Sequence, residues 1–264
     1  MRELNDVFVE SVKHLAAKAA DFICDHQGKV LPDEVHAKSL NSLVSFVDTG
    51  SEKILVEGLS KLLPGSGFIT EESTTQQGQQ EYTWIIDPLD GTTNFLYDIP
   101  SFAVSIALMH QRQIVFGLVY EVNRRECFTA QKGKGAFLNG TKIQVSTRGV
   151  TDSLIATGFP YYDFSKTEKY MEVLKELMQH TTGIRRLGAA AVDLAYVACG
   201  RFDAFYEYSL YPWDVAAGAL LVSEAGGSVS DFWGKEDWLF GKTIIAGNSQ
   251  THPYLRTLLS EKFY

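Results

Sequence analysis

The chain of 264 residues is 45% hydrophobic and 12% aromatic, so it can bury a large core, either as one unit or as two closely packed halves. Its formal net charge of -8 argues against a nonspecific grip on nucleic acid or anionic lipid, since those partners need a basic face. The three cysteines lie far apart in sequence and show neither a disulfide framework nor the spacing of a zinc site. The start of the chain does not resemble a leader, and no apolar run has the length of a membrane span. Together these features predict a cytoplasmic protein.

Hydrophobic periodicity predicts the elements of the first half of the chain. Helices are expected over residues 4–26 and 49–63, and strands over residues 43–47, 68–70, 82–86, 102–109, 114–122, 126–130 and 136–145. The first helix is amphipathic, so its apolar stripe should pack on a sheet. The strands after residue 102 predict an antiparallel meander, in which Asn139 and Gly140 mark a hairpin turn.

Strands and helices alternate in the second half of the chain. Strands are expected over residues 154–157, 184–187, 202–207, 228–232 and 243–246, and helices over residues 165–180, 189–199, 214–225 and 251–262. No internal repeat and no long linker separate independent domains, so we predict an interlocked, layered sandwich of sheets and helices. Residues 1–264 form one unit in this prediction, with an α+β half over residues 1–150 and an α/β half over residues 151–264.

Residues 84–95, which read Trp-Ile-Ile-Asp-Pro-Leu-Asp-Gly-Thr-Thr-Asn-Phe, hold the strongest functional signal. Pro88 and Gly91 should stop the apolar strand and turn the chain, which leaves Asp87 and Asp90 at its carboxyl end. The backbone N–H groups and hydroxyls of the following turn suit anionic oxygen. The segment therefore predicts metal-assisted phosphoryl chemistry. Its Asp-x-x-Asp spacing does not indicate a covalent phosphoenzyme, and the chain has no P-loop.

Several acids share a place at the end of a predicted strand or the start of a helix, namely Glu71, Glu72, Asp87, Asp90 and Asp214. If they converge, they would raise one another's pKa unless cations neutralised them, and oxygen ligands favour Mg2+, Mn2+ or Ca2+ over zinc. Taken singly, the two glutamates could be solvated loop acids, Asp214 a helix N-cap, and the aspartate pair simple turn formers. Only their combination favours a functional site, with Mg2+ as the first choice.

Three sets of residues together resemble the inositol monophosphatase family of Mg2+-dependent, lithium-sensitive sugar-phosphate phosphatases. They are Glu71-Glu-Ser73, residues 84–95, and the sequences Pro-Trp-Asp-Val-Ala-Ala-Gly at residues 212–218 and Glu-Ala-Gly-Gly at residues 224–227, all in family order. The resemblance spans nearly the whole chain, and residues 208–212 are similar to bacterial members. It implies a layered αβαβα sandwich of the inositol monophosphatase and fructose-1,6-bisphosphatase type, two or three Mg2+ ions per subunit, and a homodimer.

The same resemblance implies roles for single residues. The implied metal ligands are Glu71, Asp87, the carbonyl of Leu89, Asp90 and Asp214. The implied catalytic residues are Glu71, Asp90 and Thr92, of which Thr92 orients the attacking water. The implied substrate contacts are Gly91, Thr92, Gly188, Ala189, Ala190, Glu207 and Asp214. Lys38 and Asp48 are similar to a mobile-loop lysine and the acid beyond it, although the alignment of Lys38 needs a one-residue gap.

The resemblance implies Mg2+-dependent hydrolysis of a small phosphate monoester by a metal-activated water, with inositol monophosphate as the leading substrate. Fructose 1,6-bisphosphate, histidinol phosphate, an adenosine 3',5'-bisphosphate and NADP stay open as alternatives. Glu207 favours a polyol or sugar over a nucleotide, although an exposed strand acid is nearly as good an interpretation. A hypothesis of another class is a protein-binding role, because some bacterial members of the family assist RNA polymerase complexes. Given the acidic charge, that role would involve protein contact and no direct binding of nucleic acid.

Overall fold

Two large sheets and the helices around them make up the fold of this computed structural model, which describes residues 4–39, 42–72, 80–160 and 163–264. The helices are α1 Asp6–His26, α2 Phe46–Leu62, α3 Thr92–Leu96, α4 Thr167–His180, α5 Ala190–Ala198, α6 Pro212–Glu224 and α7 Thr251–Lys262. Short 3-10 turns lie at Pro32–Glu34 and Val150–Asp152. In the described ranges, no helix combines the length and the apolar character that a membrane crossing requires.

The strands form a hairpin and two sheets. They are β1 His36–Ser39, β2 Ser42–Val44, β3 Gly67–Thr70, β4 Tyr82–Asp90, β5 Ala103–His110, β6 Gln113–Glu121, β7 Glu126–Gln131, β8 Gly135–Leu138, β9 Thr141–Ile143, β10 Leu154–Thr157, β11 Gly183–Arg185, β12 Ala204–Tyr208, β13 Ser228–Ser230 and β14 Thr243–Gly247. The strand order is β3 to β9 in the large sheet and β11-β10-β12-β14-β13 in the smaller one.

The large sheet confirms the predicted antiparallel meander. Strands β4 to β9 pair in chain order and antiparallel, and only β3 joins its neighbour in parallel. The predicted strand over residues 136–145 is in fact two strands, β8 and β9, which are joined at the turn that the sequence marked. Both residues of that turn have positive φ, 47° at Asn139 and 81° at Gly140, as a tight hairpin requires.

Three apolar cores stack along the fold and confirm the αβαβα layers. The first core lies between helices α1 and α2 and the large sheet, the second holds α5 and α6 between the two sheets, and the third joins α4 and α7 to the smaller sheet. Within β4, Trp84 and Ile86 belong to the first core and Ile85 to the second. Because side chains alternate along a strand, β4 is buried on both faces, which explains its unbroken apolar sequence.

The start of α2 differs from the prediction. A strand over residues 43–47 that ends at Asp48 is wrong, since β2 ends at Val44 and the helix begins at Phe46. Ser45 and Asp48 form a capping box, in which the carboxylate accepts from the backbone N–H and the hydroxyl of Ser45, both at 2.8 Å. Asp48 therefore lies in the first turn of a helix, fully buried, and not in a loop.

Three other features of the predicted secondary structure also differ from the structure. The predicted stop of β4 at Ile86 is wrong, because the strand continues through Pro88 to Asp90. Strand β1 lies between the predicted helix over residues 4–26 and the predicted strand over residues 43–47, where the sequence predicted no element. Asp214 is not the N-cap of its helix, since α6 begins at Pro212 and Tyr211 occupies the cap position. Proline is favourable in the first helical turn because its missing N–H has no helical partner there.

Candidate active site

One cavity of about 500 Å³ brings together almost every residue that the sequence predicted for the site. Its lining includes Glu71, Asp87, Leu89, Asp90, Gly91, Thr92, Gly188, Ala189, Ala190, Glu207 and Asp214. These residues come from both halves of the chain. Asp48 does not line the cavity but lies behind Thr92, to which it is hydrogen bonded. The backbone of Lys38 belongs to β1, and its side chain lies outside the described residues, as does Ser73.

The end of β4 is irregular, and this irregularity places its two aspartates. Asp87 pairs with Ser105 of β5 and Asp90 with Ala103, so two residues of β4, Pro88 and Leu89, oppose a single residue of β5. In a regular strand, residues three apart point to opposite faces. The β-bulge adds one residue to β4, and both aspartates reach the same cavity.

Gly91 connects this bulge to helix α3. Its φ of 92° lies in the left-handed region, where a residue with a Cβ is strained. A Cβ on Gly91 would also lie 2.9 Å from the carbonyl oxygen of Ser101 and 3.3 Å from the Cβ of Ala189. The turn therefore needs glycine for its backbone angle and for its close contacts.

We expect Gly91→Ala to lower the free energy of unfolding by more than Gly65→Ala. Gly65 also has a positive φ, 83°, but a Cβ there would meet nothing within 4 Å, so it controls for the backbone angle alone. The angle should cost about 1–2 kcal/mol at either position, and the contacts at Gly91 should add to it. Urea-induced unfolding of both variants measures the difference. Equal losses would mean that the turn can relax around the added methyl group.

Burial and repulsion between carboxylates dominate the electrostatics of the cavity. Burial, followed by the charges of Glu71, Asp90 and Asp214, raises the pKa of Asp87 well above its ordinary value. Burial also raises the pKa of Asp90 to about 7, against hydrogen bonds from the N–H groups of Ala191 and Ala190. The charges of the other acids lie close enough to disfavour ionisation of Asp87, so a cation among them would be strongly favoured.

The donor atoms around Asp87 and Asp90 fit a hard cation. They are carboxylate and carbonyl oxygens, which are the ligands of Mg2+, Mn2+ and Ca2+. Each of three carboxylates also accepts a backbone N–H: Asp87 from Leu89 at 3.0 Å, Asp90 from Ala191 at 2.7 Å, and Asp214 from Tyr211 at 2.7 Å. In the described ranges, no group of three or more acidic, histidine or cysteine side chains is arranged so that it could hold a metal ion as it stands. The acids thus surround the cavity and not a single point within it.

Thr92 links the cavity to the buried carboxylate of Asp48. Its hydroxyl lies 2.7 Å from Asp48 Oδ1 and 3.1 Å from the carbonyl oxygen of Leu89, and it has one proton to donate. Ser45 holds the other oxygen of Asp48. Burial raises the pKa of Asp48, although the hydrogen bonds from Thr92 and Ser45 oppose this shift. The pair is therefore a fixed hydroxyl in front of a buried acid.

Glu207 of β12 marks a second region of the same cavity. It is 5% exposed, and burial together with the charges of Asp193 and Asp214 raises its pKa well above the ordinary value. Gly158 makes room for it, since a Cβ at that residue would overlap the Glu207 carboxylate. Arg186 is the one cationic side chain among the described residues of the lining.

Two residues of this region, Asp193 and Arg186, were not predicted from the sequence. Asp193 had a detectable signal, because it is the one charged residue in the otherwise apolar sequence of α5. A buried acid in an apolar helix needs a partner or a role. Arg186 has no comparable signal, since it follows Arg185 in a short segment before the glycine at 188.

Comparison with known proteins shows similarity to one family over nearly the whole chain. The sequence model of the inositol monophosphatase family matches residues 4–263. The Nus factor SuhB of Pseudomonas aeruginosa is 44% identical over 231 residues, covering 85% of each chain, and the inositol-1-monophosphatase of Mesorhizobium japonicum is 44% identical over 235 residues, covering 88% of each. The crystal structure of the extragenic suppressor protein suhB from Bartonella henselae has a TM-score of 0.92 at 42% identity, covering 97% of this chain and 99% of that one. The chain therefore belongs, as its motifs predict, to the inositol monophosphatase family.

Proposed function

We propose that this protein is a Mg2+-dependent phosphatase that hydrolyses a small phosphate monoester, with inositol monophosphate as the leading substrate. The observation that carries the proposal is the convergence of Glu71, Asp87, Asp90 and Asp214 on one cavity, where burial and then the charges of the other three acids raise the pKa of Asp87. A phosphate ester would be repelled by these acids alone. Bound cations reconcile an acidic cavity with an anionic substrate.

The acids of the cavity and the carbonyl of Leu89 would hold the ions. We assign Glu71, Asp87 and Leu89 to one Mg2+, and Asp87, Asp90 and Asp214 to a second, with Glu71 able to reach a third. When bound, Mg2+ would neutralise the phosphate and the leaving oxygen and lower the pKa of a coordinated water. The N–H groups of Gly91 and Thr92 would receive the phosphate.

Thr92 and Asp48 would move the proton of the attacking water. The Thr92 hydroxyl donates its own proton toward Asp48 at 2.7 Å, which leaves its lone pairs available to accept from a water in the cavity. A buried carboxylate with a raised pKa is a better proton acceptor near neutral pH than an exposed one. Asp48 is thus the base behind Thr92, while Glu71 serves as a ligand of the ions.

Phosphate release from a panel of esters tests this function. The panel contains myo-inositol 1-phosphate, fructose 1,6-bisphosphate, histidinol phosphate, adenosine 3',5'-bisphosphate and NADP, each with and without Mg2+ and with added Li+. We expect release that requires Mg2+ and falls with Li+, and that is fastest with the inositol ester. No release from any of them in the presence of Mg2+ would overturn the proposal.

Binding of Mg2+ should stabilise the fold more at high pH than at low pH. The pKa of Asp90 rises from 3.8 to about 7 on folding, so its contribution to stability is complete below pH about 4 and is lost as pH rises through about 7. A cation competes with the proton, and its affinity therefore grows over the same range. We expect the increase in melting temperature caused by Mg2+ to be small at pH 5 and several degrees larger at pH 8. An increase independent of pH would contradict the assignment of the buried carboxylates as ligands.

A second candidate function is a protein-binding role at RNA polymerase, which the Nus factor name of the Pseudomonas aeruginosa relative favours. The formal net charge of -8 favours protein contact over direct binding of RNA. Pull-down of RNA polymerase by the parent protein and by Asp90→Asn separates the two functions. Equal capture by both proteins would support a binding role that does not depend on turnover, while no capture by either would remove this candidate.

We further propose, from the family, that the protein is a homodimer in the cytoplasm.

A further inference from the structure

Asp193 of helix α5 has a polar atom that the proposed chemistry leaves without a partner. The residue lines the cavity and is 1% exposed. Its Oδ1 is buried and accepts no hydrogen bond among the described residues. A few other buried side-chain atoms share this property in the described ranges, namely those of Trp84, Ser101, Tyr206 and Thr243, but none of these residues lines the cavity.

An unsatisfied buried carboxyl oxygen destabilises the fold, so its position beside a cavity points to a donor that arrives from the cavity. The surrounding groups restrict what this donor can be. Glu207 carries a second carboxylate, and burial, followed by the charge of Asp193, raises its pKa. Burial, followed by the charge of Asp90, raises the pKa of Asp193 well above its ordinary value, and at both acids the charge of Arg186 opposes the upward shift of the pKa.

The remainder of the cavity makes an anionic group an unsuitable partner for Asp193. The phosphate end of the substrate is assigned above to the ions and to the turn at Gly91. What remains to be placed is the alcohol part of the ester, whose hydroxyl groups are donors. Asp193 and Glu207 lie on neighbouring elements, α5 and β12, and both line this part of the cavity.

We propose that Asp193 is a specificity-determining residue. Its unpartnered carboxylate oxygen accepts a hydrogen bond from one hydroxyl group of the substrate alcohol, and Glu207 accepts a hydrogen bond from a neighbouring hydroxyl group. The preferred substrate class is then the phosphate ester of a polyol with at least two further hydroxyl groups. This inference rests on the proposed phosphatase function. It disfavours aryl and simple alkyl phosphates, which would leave both carboxylates unpaired.

Two substitutions of Asp193 and two substrates test the inference. Asp193→Leu keeps the branched skeleton of the side chain but replaces both oxygens with larger methyl groups, while Asp193→Asn keeps one acceptor oxygen and removes the charge. The substrates are myo-inositol 1-phosphate and 4-nitrophenyl phosphate. The aryl part of the second ester carries no hydroxyl group. We expect Asp193→Leu to lower the ratio of kcat/KM for the inositol ester to that for the aryl ester by roughly 10- to 100-fold, the range for one hydrogen bond to a charged group. Asp193→Asn should recover part of that ratio, because a neutral amide oxygen accepts a weaker hydrogen bond than a carboxylate.

The other outcomes are each decisive. An unchanged ratio in Asp193→Leu would mean that the residue has a structural role only. A loss in Asp193→Asn as large as in Asp193→Leu would mean that Asp193 serves as the counter-charge of Arg186, and either result overturns the inference. If the leucine variant does not fold, as judged by thermal unfolding, Asp193→Ala takes its place. Hydrolysis of only the aryl ester by the parent protein would overturn this inference and keep the phosphatase function, while hydrolysis of neither ester would overturn both.

Discussion

Asp90→Asn is expected to lower Mg2+-dependent phosphate release by at least about a hundredfold, because loss of a charged metal ligand removes several kcal/mol of stabilisation from the transition state. The amide oxygen can still accept the N–H of Ala191, which Asp90 holds at 2.7 Å, so helix α5 should keep its start. The fold should therefore survive a change that removes turnover. Steady-state release across a Mg2+ titration measures the effect.

Asp231→Asn is the matched control for this change. Asp231 is also buried and also accepts backbone N–H groups, from Trp233 and Lys235, but it does not line the cavity. We expect it to retain parental turnover at every Mg2+ concentration. If Asp90→Asn retained turnover close to that of this control, the metal assignment would be wrong.

Thr92→Val is the second change with a large expected effect. Valine keeps the shape of threonine but has no hydroxyl, so the hydrogen bond to Asp48 and the proposed path for a proton from the cavity are lost. General-base catalysis typically contributes 10²- to 10⁴-fold, and we expect kcat to fall by about 10²-fold while KM changes little. Thr92→Ser keeps the hydroxyl and should remain within about tenfold of the parent.

The pH dependence of kcat distinguishes this proton relay from a simple packing effect. The parent and Thr92→Ser should share a rise of kcat with pH that reports the buried base, and Thr92→Val should lose it. Equal losses in the serine and valine variants would argue that Thr92 acts through its methyl group. A fall of kcat in Thr92→Val with no change in the pH profile would point to a base other than Asp48.

Much of the fold could be predicted because its elements have strong local signals. The closing helix was predicted over residues 251–262 and has those bounds, and the hairpin turn at Asn139 follows from two adjacent residues that tolerate positive φ. Helix α2 shows the opposite case. The apolar sequence around Ser45 favours a strand by composition, but the capping box between Ser45 and Asp48 starts a helix there. A short polar signal decided a boundary that hydrophobicity had placed elsewhere.

The candidate site includes features that local sequence patterns do not predict. Asp87, Asp90 and Asp214 could be named from motifs, and the cavity does contain them. The bulge in β4 could not be predicted, since its signature depends on which residues of β5 pair with it. The same is true of the hydrogen bond between Thr92 and Asp48, which joins residues 44 positions apart. Long-range pairing is a property of the packed molecule, and local sequence carries little information about it.

The close contact at Gly91 has a consequence for protein engineering. The glycine belongs to the first half of the chain, and one of the three atoms that would crowd a Cβ there, the methyl carbon of Ala189, belongs to the second. Recombination of the two halves between homologous proteins near residue 150 would therefore not behave as an exchange of modules. A donor half with a larger side chain at position 189 would press on the turn at Gly91 of the recipient, so functional chimeras should be confined to parents that both carry a small residue at that position.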